Sequence, residues 1–231
     1  MHIFTIDGNI GSGKSTLIKL MKTQYKKFNN YTIHYLPEPV DIWESIKDKN
    51  GKNTIENYYE NQTKYAFPFQ MMAYISRVHQ LKELMKTCDN NSIIICERSV
   101  YTDKNVFAKM LYKNGTMNEI EIQIYLKWFD EFVKDFPFSG IIYVATQPEK
   151  SLERVNIRNR KGEEIPLSYL KSCHNYHEEW LNSSEIPVLK LNGNTEFIKQ
   201  IPDTWDLAIE TFIKKHCGLL RDEYLHTMVT C

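Results

Sequence analysis

A chain of 231 residues, 42% hydrophobic and 25% charged, carries enough apolar material for one buried α/β core and too much for a disordered chain. Lys+Arg and Asp+Glu both total 29, which excludes a general basic field for nucleic acid and leaves any charge chemistry local. Cys88, Cys96, Cys173, Cys217 and Cys231 form no C-x-x-C pair, and no apolar run approaches the roughly 20 residues that span a bilayer, so reduced thiols in a cytoplasmic protein without a membrane partner are expected.

Ile3-Phe4-Thr5-Ile6 reads as a buried strand that begins almost at Met1, which predicts no signal or transit peptide. Gly8-Asn9-Ile10-Gly11-Ser12-Gly13-Lys14-Ser15-Thr16 follows and matches G-x-x-x-x-G-K-[ST]. Leu17, Met21 and Tyr25 then recur at helical spacing. Glycines let successive N–H groups point inward as an anion nest at the positive end of the new helix. Lys14 can reach β- and γ-phosphates, and the Ser15 hydroxyl can bind Mg²⁺. Nucleotide phosphate binding is the reading that follows; a chance glycine-rich turn is the alternative.

Residues 22–30 read as a basic helix end and a turn, and residues 31–36 as a strand stopped by Pro37-Glu38-Pro39. The flanking prolines hold Glu38 extended at the carboxyl end of its strand, the edge where open parallel sheets bind ligands. A solvated loop acid is the bland alternative. Residues 55–88 favour a helix, with a break or kink predicted at Pro68. Phe67, Gln70, Tyr74, Arg77 and Leu81 share one face of it, with the small Ala73 between them. Gln70 and Arg77 are either rim residues with wet tips or face a polar ligand.

Residues 92–96 form a continuous apolar run, the mark of a central parallel strand, and deliver Glu97-Arg98-Ser99 to the same edge. That pair is either a metal and phosphate contact or a plain salt bridge. A helix over 100–112 places Asp103 and Phe107 one turn apart, and Asn118 with Glu121 starts the next helix as a capping box. Ile120, Ile124, Trp128 and Phe132, widened by Tyr125 and Phe129, make an apolar stripe expected to pack into the core, with a subunit contact as the alternative. Residues 141–145 and 187–191 are further strands. Between them a helix from about Glu149 ends in Arg154, Arg158 and Arg160 before an acidic Gly-containing turn, read as a lid over phosphates in preference to a solvated face. Residues 166–181 and 203–215 are helical, His174-x-x-His177-Glu178 lacks zinc spacing, and residues 217–231 carry no clear signal. With no repeat or linker, one domain is expected: α/β, a doubly wound, parallel five-stranded sheet with helices on both faces.

With these motifs in hand, the chain resembles the deoxynucleoside kinases from its first strand to about Leu191. The likeness rests on GNIGSGKST, Glu38-Pro39-Val40 with Trp43, Phe67-Pro68-Phe69-Gln70, Glu97-Arg98-Ser99-Val100-Tyr101-Thr102-Asp103, the arginine series ending at Arg160, and Ile165-Pro166-Leu167-Ser168-Tyr169-Leu170. The resemblance implies transfer of a γ-phosphoryl from ATP or another nucleoside triphosphate, with Mg²⁺, to the 5′-hydroxyl of a deoxynucleoside. It makes Glu38 the base, with Glu97 as the alternative acceptor, puts Mg²⁺ on Ser15 and Glu97, and lets Arg98 steady Glu38 and the 5′-oxygen. Gln70 and Asp103 would read the base edge, Ala73 and Arg77 shape that end, and Trp43, Phe69 and Phe107 enclose the nucleoside. Tyr59 would take the sugar 3′-hydroxyl with a lid acid, Glu163 by its spacing from Arg160 or else Glu164. Arg154, Arg158 and Arg160 would close on phosphates, Thr195, Glu196 and Phe197 would border the donor base, and a homodimer is implied.

In such a pocket Asp103 accepts from the cytosine 4-amino group and repels the thymine 4-oxo group, so deoxycytidine is the expected preference. Deoxyadenosine and deoxyguanosine come next and thymidine last, with a thymidine-preferring or broad enzyme as the alternative. A nucleoside-monophosphate kinase would carry a phosphate-binding arginine where Glu38-Pro39 stands. A GTPase switch would carry N-K-x-D and D-x-x-G, and neither is found.

Overall fold

The computed structural model describes residues 1–219, so residues 220–231 of the tail singled out above lie outside the described part. Strands β1 (His2–Asp7), β2 (Lys27–Phe28), β3 (Tyr31–Leu36), β4 (Ser92–Glu97), β5 (Phe138–Ala145) and β6 (Val188–Asn192) form one sheet in the order β2-β3-β4-β1-β5-β6. All neighbours run parallel except β2, which pairs antiparallel with β3. The five expected parallel strands are present. The sixth corrects the reading of residues 22–30 as helix end and turn: Lys27 pairs Thr32 and Phe28 pairs Tyr31 around Asn29 at φ +50°. A two-residue edge strand is too short for alternation to reveal it.

The central strands read as unbroken apolar runs because helices cover both of their faces. Along β1, Phe4 and Ile6 point to one side and Ile3 to the other; along β4, Ile93 and Ile95 oppose Ile94 and Cys96. The first set meets α1 (Lys14–Gln24) and α10 (Asp203–His216) through Leu17, Met21, Ile209 and Ile213. The second meets α4 (Gln62–Thr87) and α7 (Glu119–Phe132) through Tyr74, Val78, Leu81, Tyr125 and Phe129.

Around the carboxyl edge lie α2 (Val40–Ser45), α3 (Thr54–Glu60), α5 (Val100–Thr102), α6 (Lys109–Lys113), α8 (Pro148–Arg158) and α9 (Leu167–Asn182). The expected break at Pro68 is instead at Asn61, whose side chain accepts from Lys64 N and caps α4. Proline forfeits one helical hydrogen bond, and packing of α4 on both sides carries the helix through. Asn118 and Glu121 do form the capping box of α7. Its apolar stripe, however, divides: Ile122, Tyr125 and Phe129 are buried, while Ile120, Ile124 and Trp128 are exposed, which corrects the expectation that the whole stripe is core. One neighbouring helix covers only part of so wide a face. Between α5 and α6 the chain makes a π-helical stretch, Asp103–Ala108, in place of the regular helix expected over 100–112. No helix among the described residues is long and apolar enough to cross a membrane.

Candidate active site

β1 ends in Asp7 and the chain turns through the glycine loop into α1. Glycines there are sterically required, Gly11 and Gly13 among them. Gly11 has φ +75°, and a Cβ would stand 2.4 Å from Ser151 O; Gly13 has φ +101°, and a Cβ would meet Phe197 Cζ at 2.5 Å. Asn9 anchors the loop by donating to Leu170 O at 2.8 Å, and Ser12 O accepts from Thr146 Oγ1 at 3.1 Å. Ile10 and Thr16 line the crevice beside it. Gly8 O accepts from Arg98 Nη1 at 3.1 Å, which ties the loop to the end of β4. The Lys14 ammonium donates to Asn9 O at 2.7 Å. Burial and then Arg98 depress Lys14 to about 7, although Glu38, Glu97 and Asp7 pull the other way. The Ser15 hydroxyl donates to Glu97 Oε1, so the two oxygens expected to hold a metal meet where the start of α1 faces the end of β4.

At the other end, side chains from four elements form one charged network. Glu38 Oε1 accepts from Arg77 Nη2 at 2.6 Å and from Arg98 Nε at 3.2 Å. Arg77 Nε donates to Asp103 Oδ2 at 3.0 Å. Glu38 is therefore no solvated loop acid, and Gln70 and Arg77 are buried rather than rim residues. Burial pushes the Glu38 carboxyl up, but Arg77, Arg98 and Lys14 outweigh it and hold it well below the usual carboxylate range. Asp103 has the opposite fate. Burial raises it to about 6 against Arg77 and Arg98, with Glu38 and Asp7 adding repulsion. Two acids share Arg77, and the one with a second guanidinium in contact is the stronger acid.

Apolar walls complete this end. Trp43 is fixed by its Nε1–H donating to Ser76 Oγ at 2.9 Å, and Phe69 meets it edge-on at 5.7 Å. Arg77 lies 5.1 Å over Trp43 and Arg98 lies 4.9 Å over Phe107. Gln70 Oε1 is buried without a hydrogen-bond partner among the described residues, and Ala73 stands beside it in the same crevice.

The lid arginines divide in two. Arg154 donates to Ser12 O at 3.0 Å, Gly193 O at 2.9 Å and Thr195 O at 3.3 Å, and lies 5.6 Å over Phe197. It binds the phosphate loop to the segment carrying Thr195, Glu196 and Phe197, and Glu196 pairs with Lys150 at 2.9 Å. Arg158 and Arg160 instead face Glu163, whose side chain is only 5% exposed, whereas Glu164 points to solvent. Burial and then the nearby Glu163 raise the Tyr59 hydroxyl well above its ordinary value.

Both ends open into one crevice of about 500 Å³, lined from Lys14 and Ser15 to Gln70, Asp103 and Glu163. Three features lay outside the sequence reading. Tyr58 and Tyr169 share a partly buried hydrogen bond at 2.9 Å in the wall. Ile157 and Ile198 are apolar and exposed at the mouth. Asp7, buried, accepts from Thr5 Oγ1 at 2.6 Å, Ser99 N at 3.0 Å and the Thr102 hydroxyl, which pins the loop after β4. An acid closing a buried strand was the available signal for Asp7; Tyr169 stood inside the Ile165–Leu170 motif, but nothing in the sequence pointed to its pairing with Tyr58.

Parallel strands that feed a phosphate loop beside a walled pocket make this a phosphate-loop kinase of the nucleoside-kinase fold. The family model described as deoxynucleoside kinase matches residues 4–217, and the chain belongs to that family. It is similar to deoxycytidine kinase 2 of Gallus gallus, 35% identical over 223 residues, 84% of this chain and 82% of the relative. Similarity to deoxycytidine kinase of Homo sapiens is 35% over 224 residues, 84% of each chain. Mitochondrial deoxyguanosine kinase of Xenopus laevis is 31% identical over 221 residues, covering 84% of this chain and 82% of the relative. The chain is thus a deoxynucleoside kinase.

Proposed function

We propose that residues 1–231 form one kinase domain that transfers the γ-phosphoryl of ATP to the 5′-hydroxyl of deoxycytidine in preference to other deoxynucleosides. The observation that carries this preference is Asp103, held by Arg77 beside Gln70, whose Oε1 has no hydrogen-bond partner among the described residues. A glutamine amide matches cytosine N3 and N4 in one orientation and thymine N3 and O4 in the other, so Gln70 alone is indifferent. An ionised Asp103 only accepts, which favours the cytosine 4-amino group and opposes the thymine 4-oxo group. A site built on such hydrogen bonds can reject the mismatch by about 10⁴. Adenine and guanine fit more weakly.

In this reading Glu38 takes the 5′-hydroxyl proton and Arg98 steadies both. A carboxylate held so far below its usual range is a weak base, which suits a loose phosphoryl-transfer transition state that needs positioning more than proton abstraction. Lys14, Arg158 and Arg160 offset phosphate charge, and Arg154 with Thr195, Glu196 and Phe197 shapes the donor-base end. Trp43, Phe69, Ala73 and Phe107 enclose the nucleoside; Tyr59 and Glu163 hold its 3′-hydroxyl. The Ser15 hydroxyl and the Glu97 carboxylate are hard oxygen donors of the kind Mg²⁺ uses together with substrate phosphates, and their direct contact supports that pairing. The ion would neutralise charge on the transferred group.

Ile75 on α4 and Ile120, Ile124 and Trp128 on the adjoining α7 leave apolar surface exposed, which supports a homodimer through these helices. The free Cys88, Cys96, Cys173 and Cys217 suit a reducing, cytoplasmic setting. The test is direct: purified protein, Mg-ATP and each natural deoxynucleoside in turn, with phosphorylated product counted. Deoxycytidine should give the highest kcat/KM, and a preference for thymidine would overturn the reading of the pocket. For the assembly, Trp128→Glu should turn a dimer into a monomer in analytical ultracentrifugation.

A further inference from the structure

The tip of the lid rests on the first turn of α3, and the contact is close. Gly162 has φ +75°, and a Cβ there would stand 2.5 Å from Glu56 Cγ and 3.2 Å from Glu56 Cα. Glu56 is itself fixed by a capping box: its N–H donates to Asn53 Oδ1 and its Oε2 accepts from Asn53 N, both at 2.9 Å. Its other oxygen takes the Lys161 ammonium at 2.9 Å. Lys161 is 89% exposed, so that ion pair is a weak tether. What sets the height of the lid is the bare glycine backbone lying on Glu56.

Tyr59 stands three residues beyond Glu56 on α3, and Glu163 follows Gly162 in the turn closed by Glu163 N donating to Arg160 O at 3.1 Å. Two stiff local units therefore meet at one contact, and each presents a polar group to the same part of the crevice. We infer that Glu56 is a positioning residue, the seat on which Gly162 lands so that Glu163 and Tyr59 can share one sugar hydroxyl. Glu56 touches no substrate and acts only through this seat. The inference rests on the assignment of Tyr59 and Glu163 to the 3′-hydroxyl.

The test is the ratio of kcat/KM for 2′-deoxycytidine to that for 2′,3′-dideoxycytidine, which lacks only the hydroxyl in question. A hydrogen bond involving a charged group should make the wild-type ratio about tenfold or more, and Tyr59→Phe should reduce it. Gly162→Asn adds a Cβ over Glu56 yet tolerates a left-handed backbone, so it separates contact from strain. The expected result is a ratio lowered to that of Tyr59→Phe, with dideoxycytidine turnover within about threefold of wild type. Lys161→Ala should leave the ratio within about twofold. If Tyr59→Phe loses the preference and Gly162→Asn keeps it, the seat is wrong. Equal losses on both substrates would likewise overturn it, as general damage to the lid. A wild-type enzyme with no preference for the 3′-hydroxyl would instead overturn the sugar assignment, and the inference with it.

Discussion

The two ends of the crevice are built by opposite means. The phosphate end is a single run of backbone, residues 8–16, whose shape depends on what its glycines lack; Lys14 is the side chain that reaches inward. The nucleoside end is made of side chains delivered by β3, α4, β4 and the π-helical stretch, and held together by two guanidiniums. Lys14 and Ser15 apart, such a backbone site tolerates changes of side chain and fails at an added Cβ. Side-chain sites do the reverse, because each member is the partner of another.

Lys14→Ala should break the phosphate end outright. Turnover is expected to vanish while isothermal calorimetry still detects deoxynucleoside, since the proposed site map puts the two ligands at different ends. A variant that keeps ATP and loses nucleoside would collapse the distinction between the ends. At the nucleoside end, Glu38→Gln should lower kcat by about 10² or more with little change in nucleoside affinity. Near-normal turnover would pass the role of proton acceptor to Glu97.

A pH series sharpens the comparison further. Asp103 is raised to about 6, so it is ionised at pH 7 and takes up a proton as the pH falls toward 5. Only the ionised form is purely an acceptor, and its share falls about tenfold over that interval. Deoxycytidine kcat/KM should therefore fall about tenfold between pH 7 and pH 5 relative to thymidine, which gains a donor in the protonated acid. In Asp103→Asn the ratio of the two substrates should stay flat with pH. Replacing Arg77 and Asp103 together by Met and Ala should narrow the same ratio at pH 7.

The smallest effect belongs to the phosphate end. The buried Ser12 Oγ has no hydrogen-bond partner among the described residues, while its backbone carbonyl holds Thr146 and Arg154. Ser12→Ala should leave kcat/KM within about twofold, because no hydrogen bond is lost. A large loss would mean that the loop works through this side chain as well.

The same contrast explains what the sequence disclosed. Residues 8–16 announced themselves because their function is local and their neighbours along the chain are their neighbours in space. Gln70, Ala73 and Arg77 could be placed on one helix face, yet spacing alone left open whether that face met water or ligand. The answer lies with Glu38 and Asp103, tens of residues away in either direction. Arg77 pairs with Asp103 and also holds Glu38, so loss of Asp103 alone would not strand a bare cation. Arg154 carried the same signal as Arg158 and Arg160, and only tertiary contacts separate its role from theirs. The stripe on α7 showed what is apolar, not how much of it a neighbour covers. Gly162 looked like an ordinary turn until Glu56 was found beneath it.

One backbone angle sets a limit on how this chain can drift. Arg98 has φ +68°, a conformation that costs a residue with a Cβ about 1–2 kcal/mol and glycine almost nothing. Glycine or asparagine at this position would relax the loop, and a population of variants screened for heat resistance alone would collect them. Those variants would also lose the guanidinium that holds Glu38 and the carbonyl of Gly8. Selection for sturdiness and selection for phosphorylation thus pull in opposite directions at a single codon, and the arginine found there records which of the two prevailed.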